Sequence, residues 1–226
     1  MVVLSREAFD AIEFEAAYSG NYRPAAEQMT RLADTGTQSP SMPRSEAYLR
    51  AGEQWLLADD PAAAANAFMR ALADGGPASI DPRAPLARAL FLLGRADEAE
   101  AHIRDLGLAP PRDPRLCDQI AELLVERSEL ERALAWATAG VDLCLGGQPG
   151  PIGQPGPAGT SPAGTSPGEP SPPGERPPLP GGDRTELRLL LTLRYRIRND
   201  LGLPEDTYDQ LLDELLSETG NSAAGD

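Results

Sequence analysis

Between Ser45 and Pro77 apolar and small side chains return at the period of a helix. Tyr48, Ala51, Gly52 and Trp55 share one face of a first segment, and Ala64, Phe68 and Ala71 share one face of a second. Asp59-Asp60-Pro61 divides the two, with Pro61 at the first helical position, where its missing N–H leaves no hydrogen bond unmade. The same spacing returns downstream at offsets of 35 and then 34 residues. One copy carries Leu86, Ala87, Leu90, Gly94, Ala99 and Ile103; the next carries Ile120, Ala121, Leu124, Ala133, Ala137 and Gly140. An upstream copy fits through Phe9, Ile12, Ala16, Gly20, Tyr22, Ala25 and Met29, but Glu13 stands where the others hold a small residue. It lies 39 residues before the next copy, so the loop over residues 35–43 is expected to absorb the excess.

The pattern changes after Leu145. Residues 146–182 are rich in Pro, Gly, Ser and Thr and repeat GQPGP twice and AGTSP twice, with no apolar periodicity to offset the entropy of ordering. This stretch is predicted to be a disordered linker. Glycine at every third position from Gly147 to Gly159 gives a collagen-like register, but it slips at Pro162 and is too short for a triple helix. Its Pro-x-x-Pro spacings and the Ser161-Pro162 and Ser166-Pro167 pairs are candidate docking or modification sites. Beyond it, Leu190, Leu193, Ile197 and Leu201 form a helical stripe that Leu187, Leu191 and Tyr195 widen. The alternation over residues 193–198 also fits a short strand, although the longer context favours a helix. Gly202 reads as a left-handed helix stop, and Pro204-Glu205-Asp206 as the acidic first turn of a second helix. Residues 183–218 are therefore predicted to form a helical hairpin, and residues 219–226 a disordered tail.

In its repeated spacing of 4-7-8-11-20-24-27, residues 6–145 resemble the tetratricopeptide repeat (TPR) family. The resemblance implies an all-α fold. Residues 1–145 would form a TPR-like α-α solenoid, a right-handed superhelix, with the Pro/Gly-rich stretch as an insert and the hairpin as a C-terminal cap. Small residues at positions 8 and 20 would let the helices of each pair approach, and large ones at 4, 11 and 24 would fill the gap to the next pair. An amphipathic helical bundle without repeat stacking is the plainer alternative.

Composition narrows the chemistry. All 20 basic residues are arginine, against 35 Asp and Glu, giving a formal charge of −15. Without lysine there is no Walker-type phosphate loop and no Schiff base. With His102 alone and only Cys117 and Cys144, metal sites and histidine-based triads lack their residues. The chain is therefore read as a non-enzyme that needs no cofactor or metal. Its acidity argues against nucleic acid and anionic membrane surfaces as partners, and no apolar run reaches the roughly 18 residues of a membrane span. The first 20 residues show no signal pattern, so a cytoplasmic protein with reduced cysteines is expected. The arginine cluster Arg184, Arg188, Arg194, Arg196 and Arg198 is the one basic concentration, and the acids that follow it are expected to pair with it in exposed ion pairs.

In TPR proteins the first helix of each pair lines a ligand groove, chiefly at positions 2, 5, 9, 12 and 13. The resemblance carries these onto Glu7, Asp10, Phe14, Ala17 and Tyr18; onto Glu46, Leu49, Glu53, Leu56 and Leu57; onto Asp81, Ala84, Arg88, Phe91 and Leu92; and onto Arg115, Asp118, Glu122, Val125 and Glu126. A surface so rich in acids with apolar anchors between them calls for a protein or peptide with a basic, apolar segment. Family members that grip carboxylate-ended chaperone tails use Lys and Asn there, and this chain has Asp10, Leu49, Glu53, Asp118 and Glu122 instead. The expected function is a protein–protein interaction adaptor or chaperone-like binder. The alternative is a regulatory sensor of a signalling peptide or small ligand, with the hairpin as its switch. Oligomeric state is not legible.

Overall fold

The structure, a computed structural model, describes residues 3–152 and 184–222, with side chains as far as residue 217. These residues form α1 (Arg6–Ser19), α2 (Tyr22–Thr35), α3 (Arg44–Leu57), α4 (Pro61–Asp74), α5 (Arg83–Leu92), α6 (Ala96–Leu108), α7 (Pro114–Glu126), α8 (Leu130–Cys144), α9 (Arg184–Asp200) and α10 (Thr207–Ser222). No strand forms among them, and β pairing is limited to two isolated bridges. No helix is long and apolar enough to cross a membrane. The chain divides into two compact units, Met1–Leu106 and Gly107–Asp226. Consecutive helices from α1 to α5 pack on one another in the first unit, and from α7 to α10 in the second, consistent with an α-solenoid.

In the first unit, the α3–α4 pair is set by one close approach. A Cβ placed on Gly52 would lie 2.4 Å from Cε1 of Phe68, so the ring lies directly on the glycine backbone. Phe68 thus packs on the first helix of its own hairpin. Trp55 does reach another pair: its indole N–H donates to Thr30 Oγ1 on α2 at 3.0 Å, and Arg23 stacks 5.3 Å from its ring centroid. Tyr48 also bridges elements, donating to Asp34 at 3.0 Å while Arg70 lies over its ring and pairs with the same carboxylate. Asp60 caps α4 by accepting from the Ala63 N–H at 3.0 Å, with Pro61 behind it as read from sequence.

The long α2–α3 loop uses its extra residues to capture the start of the chain. The Leu4 N–H donates to the Thr37 carbonyl at 2.8 Å, and Ser39 Oγ donates to the Leu4 carbonyl at 2.7 Å. Arg44 closes the exit of α2 by donating to the carbonyls of Ala33 and Gly36 at 2.8 and 3.0 Å. Leu4 and Met42 are thereby buried with Phe9, Met29, Ala47 and Tyr48. Glu13, the misfit of the first repeat, accepts from Arg50 of α3 at 2.7 Å, and Arg50 also holds Asp10 at 2.6 Å. The acid therefore fastens α1 to α3, and a cleft of about 420 Å³ stays open between α1 and α2, floored by Ile12, Ala16 and Ala25.

In the second unit, a Cβ on Gly140 would lie within 2.9 Å of both Leu190 Cδ2 and Cys117 Cβ, so α7, α8 and α9 meet at that glycine. Leu187, Leu190 and Leu191 of α9 bury against Val141 of α8 and Leu212 of α10. Residues 193–198 are helical, which rules out the short strand. Gly202 has φ +66°, the left-handed stop read from the sequence. The second helix begins later than expected. Asp206 is its cap, accepting from the Tyr208 N–H at 3.0 Å, while its own N–H donates to Asp209 at 2.9 Å. This helix, α10, extends to Ser222. Of the predicted linker, residues 146–152 fold back, with the Ile152 N–H donating to the Gly107 carbonyl at 2.8 Å; residues 153–183 lie outside the described residues.

The predicted pairing of α9 arginines with later acids is present, but at Arg194 it is buried rather than exposed. Arg194 and Asp209 are each only 5% exposed. Arg194 pairs with Asp206 at 2.5 Å, donates to Thr138 Oγ1 on α8 at 3.1 Å and lies 4.6 Å from the Tyr208 ring centroid. Arg198 reaches Asp206 and Asp209 at 3.1 Å, and the Tyr208 hydroxyl donates to Asp142 of α8. Each buried leucine of the seam contributes about 1.5–3 kcal/mol, whereas a buried ion pair roughly breaks even against an apolar substitute. The leucines hold the hairpin, and the arginines neutralise and hydrogen-bond the carboxylates enclosed beside them.

Candidate protein-binding surface

In the first unit, α1 turns Phe9 and Ala16 inward and leaves Glu7, Phe14 and Tyr18 on the opposite side. Phe14 is 73% and Tyr18 84% exposed. Large aromatic groups so open to water are unusual on a helix whose other face builds a core. Leu57 at the end of α3 and Leu92 at the end of α5 occupy the same repeat position as Tyr18, and both are more than half exposed. The second half of α5 adds Arg88 and Phe91, both half-buried. Three successive first helices of the first unit therefore each end in an exposed apolar side chain.

The acids divide by their partners. Asp10 is held by Arg50. Glu46 is buried and accepts from the Ser79 N–H at 2.6 Å, tying α3 to the segment entering α5. Asp81 accepts from the Arg83 N–H at 3.0 Å and pairs with its guanidinium at 2.6 Å; burial raises its carboxyl, but the hydrogen bonds from Arg83 outweigh it and hold it below its ordinary value. Glu53 differs. Burial first, then the charges of Glu13 and Glu46, push its carboxyl up to about 7 against the single opposing charge of Arg50. Beside it, Gln54 is buried with Oε1 lacking a donor among the described residues. Leu49 is fully buried and presents nothing to solvent.

In the second unit, Arg115 pairs with Asp113, the cap of α7, at 3.3 Å. Asp118 is half-buried and pushed up to about 6, by burial and then by Glu122 and Glu186, so the first turn of α9 adds a third carboxylate to this group. Glu122 and Glu126 are exposed. No cluster of three or more His, Cys, Asp or Glu among the described residues is arranged to hold a metal. Cys117 is buried, with its thiol pushed up to about 12 by burial and then by Asp113, which makes it a packing group and a poor nucleophile.

Sequence reasoning missed Arg50, Gln54 and Glu186. Arg50 stands at a repeat position outside the lining set, and only the arrival of α1 against α3 gives it two carboxylates to hold. Compared with known proteins, the chain matches no family model, no curated protein and no solved structure.

Proposed function

We propose that this chain is a non-catalytic, TPR-like peptide-binding adaptor, which takes a basic segment carrying apolar side chains on the first helices of its pairs. The observation that carries the reading is the row of exposed Tyr18, Leu57 and Leu92 at one repeat position, with Phe14 beside it. Exposed apolar anchors of this kind are where binding energy concentrates once a partner removes water from them. Charge selects the partner. Glu53 is under-compensated by Arg50 alone, so a guanidinium or ammonium group brings the charge and the donors that this carboxylate lacks. Asp118, Glu122 and Glu186 offer the same chemistry in the second unit. In this reading the repeats form a right-handed solenoid, and α9 and α10 act as its cap.

The test is capture from native cell extract at low and high salt. E53R and D118R/E122R are compared separately with the unmodified chain, and each is checked for helicity by circular dichroism. Salt-sensitive capture of a basic protein, lost in either variant, supports the reading. Equal capture by all three sinks the acidic assignment.

A further inference from the structure

The outward stripe of α9 has a composition found on no other described helix. Arg184, Thr185, Arg188, Leu189, Thr192, Tyr195, Arg196 and Asn199 are all exposed and fall within about 140° of the helix at 100° per residue. Three are arginines, two are large and apolar, and none is acidic. Leu189 is more than half exposed and Tyr195 is partly open to water. The buried ion pairs of this helix use other arginines, Arg194 and Arg198, so holding the hairpin does not account for Arg188 and Arg196.

A face of matching chemistry exists on α1. Glu7, Ala11, Phe14, Glu15 and Tyr18 form one exposed stripe within about 100°. It carries two carboxylates and two aromatic rings and no basic residue. One helix thus offers acids around aromatics, and the other offers arginines around a leucine and a tyrosine. Guanidinium groups pair with carboxylates and stack on aromatic faces.

We propose that the α9 stripe of one copy docks on the α1 stripe of a second copy, which makes the chain self-associate through two different faces. Such an interface is heterologous: each copy keeps one face of each kind free, so association continues beyond two copies unless the rotation closes a ring. The proposal names a second copy as an occupant of the α1 part of the surface assigned above and rests on that reading for α1; α9 lies outside that surface.

Sedimentation velocity of the full chain at rising concentration and low salt reads the association, with circular dichroism as the check on folding. The expected result is a mass above the monomer that grows with concentration and returns to the monomer at high salt. R188E/R196E and E7R/E15R should each weaken association by about tenfold or more, and an equimolar mixture of the two should recover it, since each then offers the face that the other lost. A monomer at every concentration overturns the proposal. So does association unchanged by both reversals, or a mixture that stays dissociated although both variants are folded. Capture of a basic client by R188E/R196E separates the readings: capture retained with association lost leaves the peptide-binding assignment standing, whereas capture lost from E53R bears on that assignment alone.

Discussion

Gly52 and Phe68 face each other across the α3–α4 pair with no room for a methyl group, since a Cβ on the glycine would lie 2.4 Å from the ring. Both residues are buried, and Gly52 is helical, so ordinary propensity would favour alanine there by about 0.8–1.0 kcal/mol. Packing reverses that preference. G52A is expected to destabilise the first unit by about 1–3 kcal/mol through overpacking. In the F68L background, where the ring is gone, the same change should cost less. Chemical denaturation of the four proteins of this cycle measures the coupling; additive effects would show that the contact does not set the spacing.

Arg194 is the residue through which α9 and α10 are most exposed to mutation. R194A takes from Asp206 its 2.5 Å partner and leaves Arg198 to hold both Asp206 and the buried Asp209; breaking one side of a buried pair costs about 3–5 kcal/mol, and the remaining arginine should keep the loss toward the lower end. Amide exchange over residues 184–217 should accelerate, while exchange in α3 and α4 should not change. An R194M variant tests whether charge or bulk matters: retained protection there would show that the leucine seam suffices.

Acid should loosen the same hairpin. Burial raises the Asp206 carboxyl, but the hydrogen bond from Arg194 and the charges of Arg194 and Arg198 outweigh it and hold it below its ordinary value of 3.8. A lowered carboxyl contributes stability that is present above the unfolded value and is lost as pH falls through the folded one. Protection of α9 and α10 is therefore expected to persist to about pH 4 and to fall below it. D206N should remove that dependence and lower protection already at neutral pH.

Glu53 should act in the opposite sense and in another range. Its folded value of about 7 lies above the ordinary 4.5, so the folded chain binds the extra proton. Stability from this group then declines as pH rises between those values and is flat above them. Thermal unfolding followed on the first unit should show a gain on moving from pH 8 to pH 5, and E53Q should be more stable than the unmodified chain at pH 8. An E53Q profile parallel to the unmodified one would remove Glu53 as the cause.

Cys117 should resist alkylation. With its thiol pushed up to about 12 and its side chain buried at the contact with Gly140, iodoacetamide at pH 8 is expected to leave it unmodified until the second unit unfolds. Peptide mass spectrometry across a denaturant series reads this directly; rapid modification of the folded chain would mean that α7 and α8 open locally.

The sequence alone determined the helices and their pairing in order. Small residues at Gly52, Ala64, Ala87 and Ala121 and breaks at Gly20, Pro61 and Gly202 are local signals, because helical period, chain stops and the volume of a side chain act within a few residues. It also marked Phe14 and Tyr18 as outward residues and foresaw that the α9 arginines meet the acids after them. Tertiary structure decided the rest. Only the return of the chain start onto the α2–α3 loop buries Leu4 and Met42. Only the meeting of α1 with α3 turns Glu13 from a misfit into a partner of Arg50, and only the docking of α9 and α10 on α8 takes Arg194 out of water. Which acids are held and which are left under-compensated depends on distances between residues far apart in the chain. Charge interactions and burial are properties of those distances, so no local pattern could carry them.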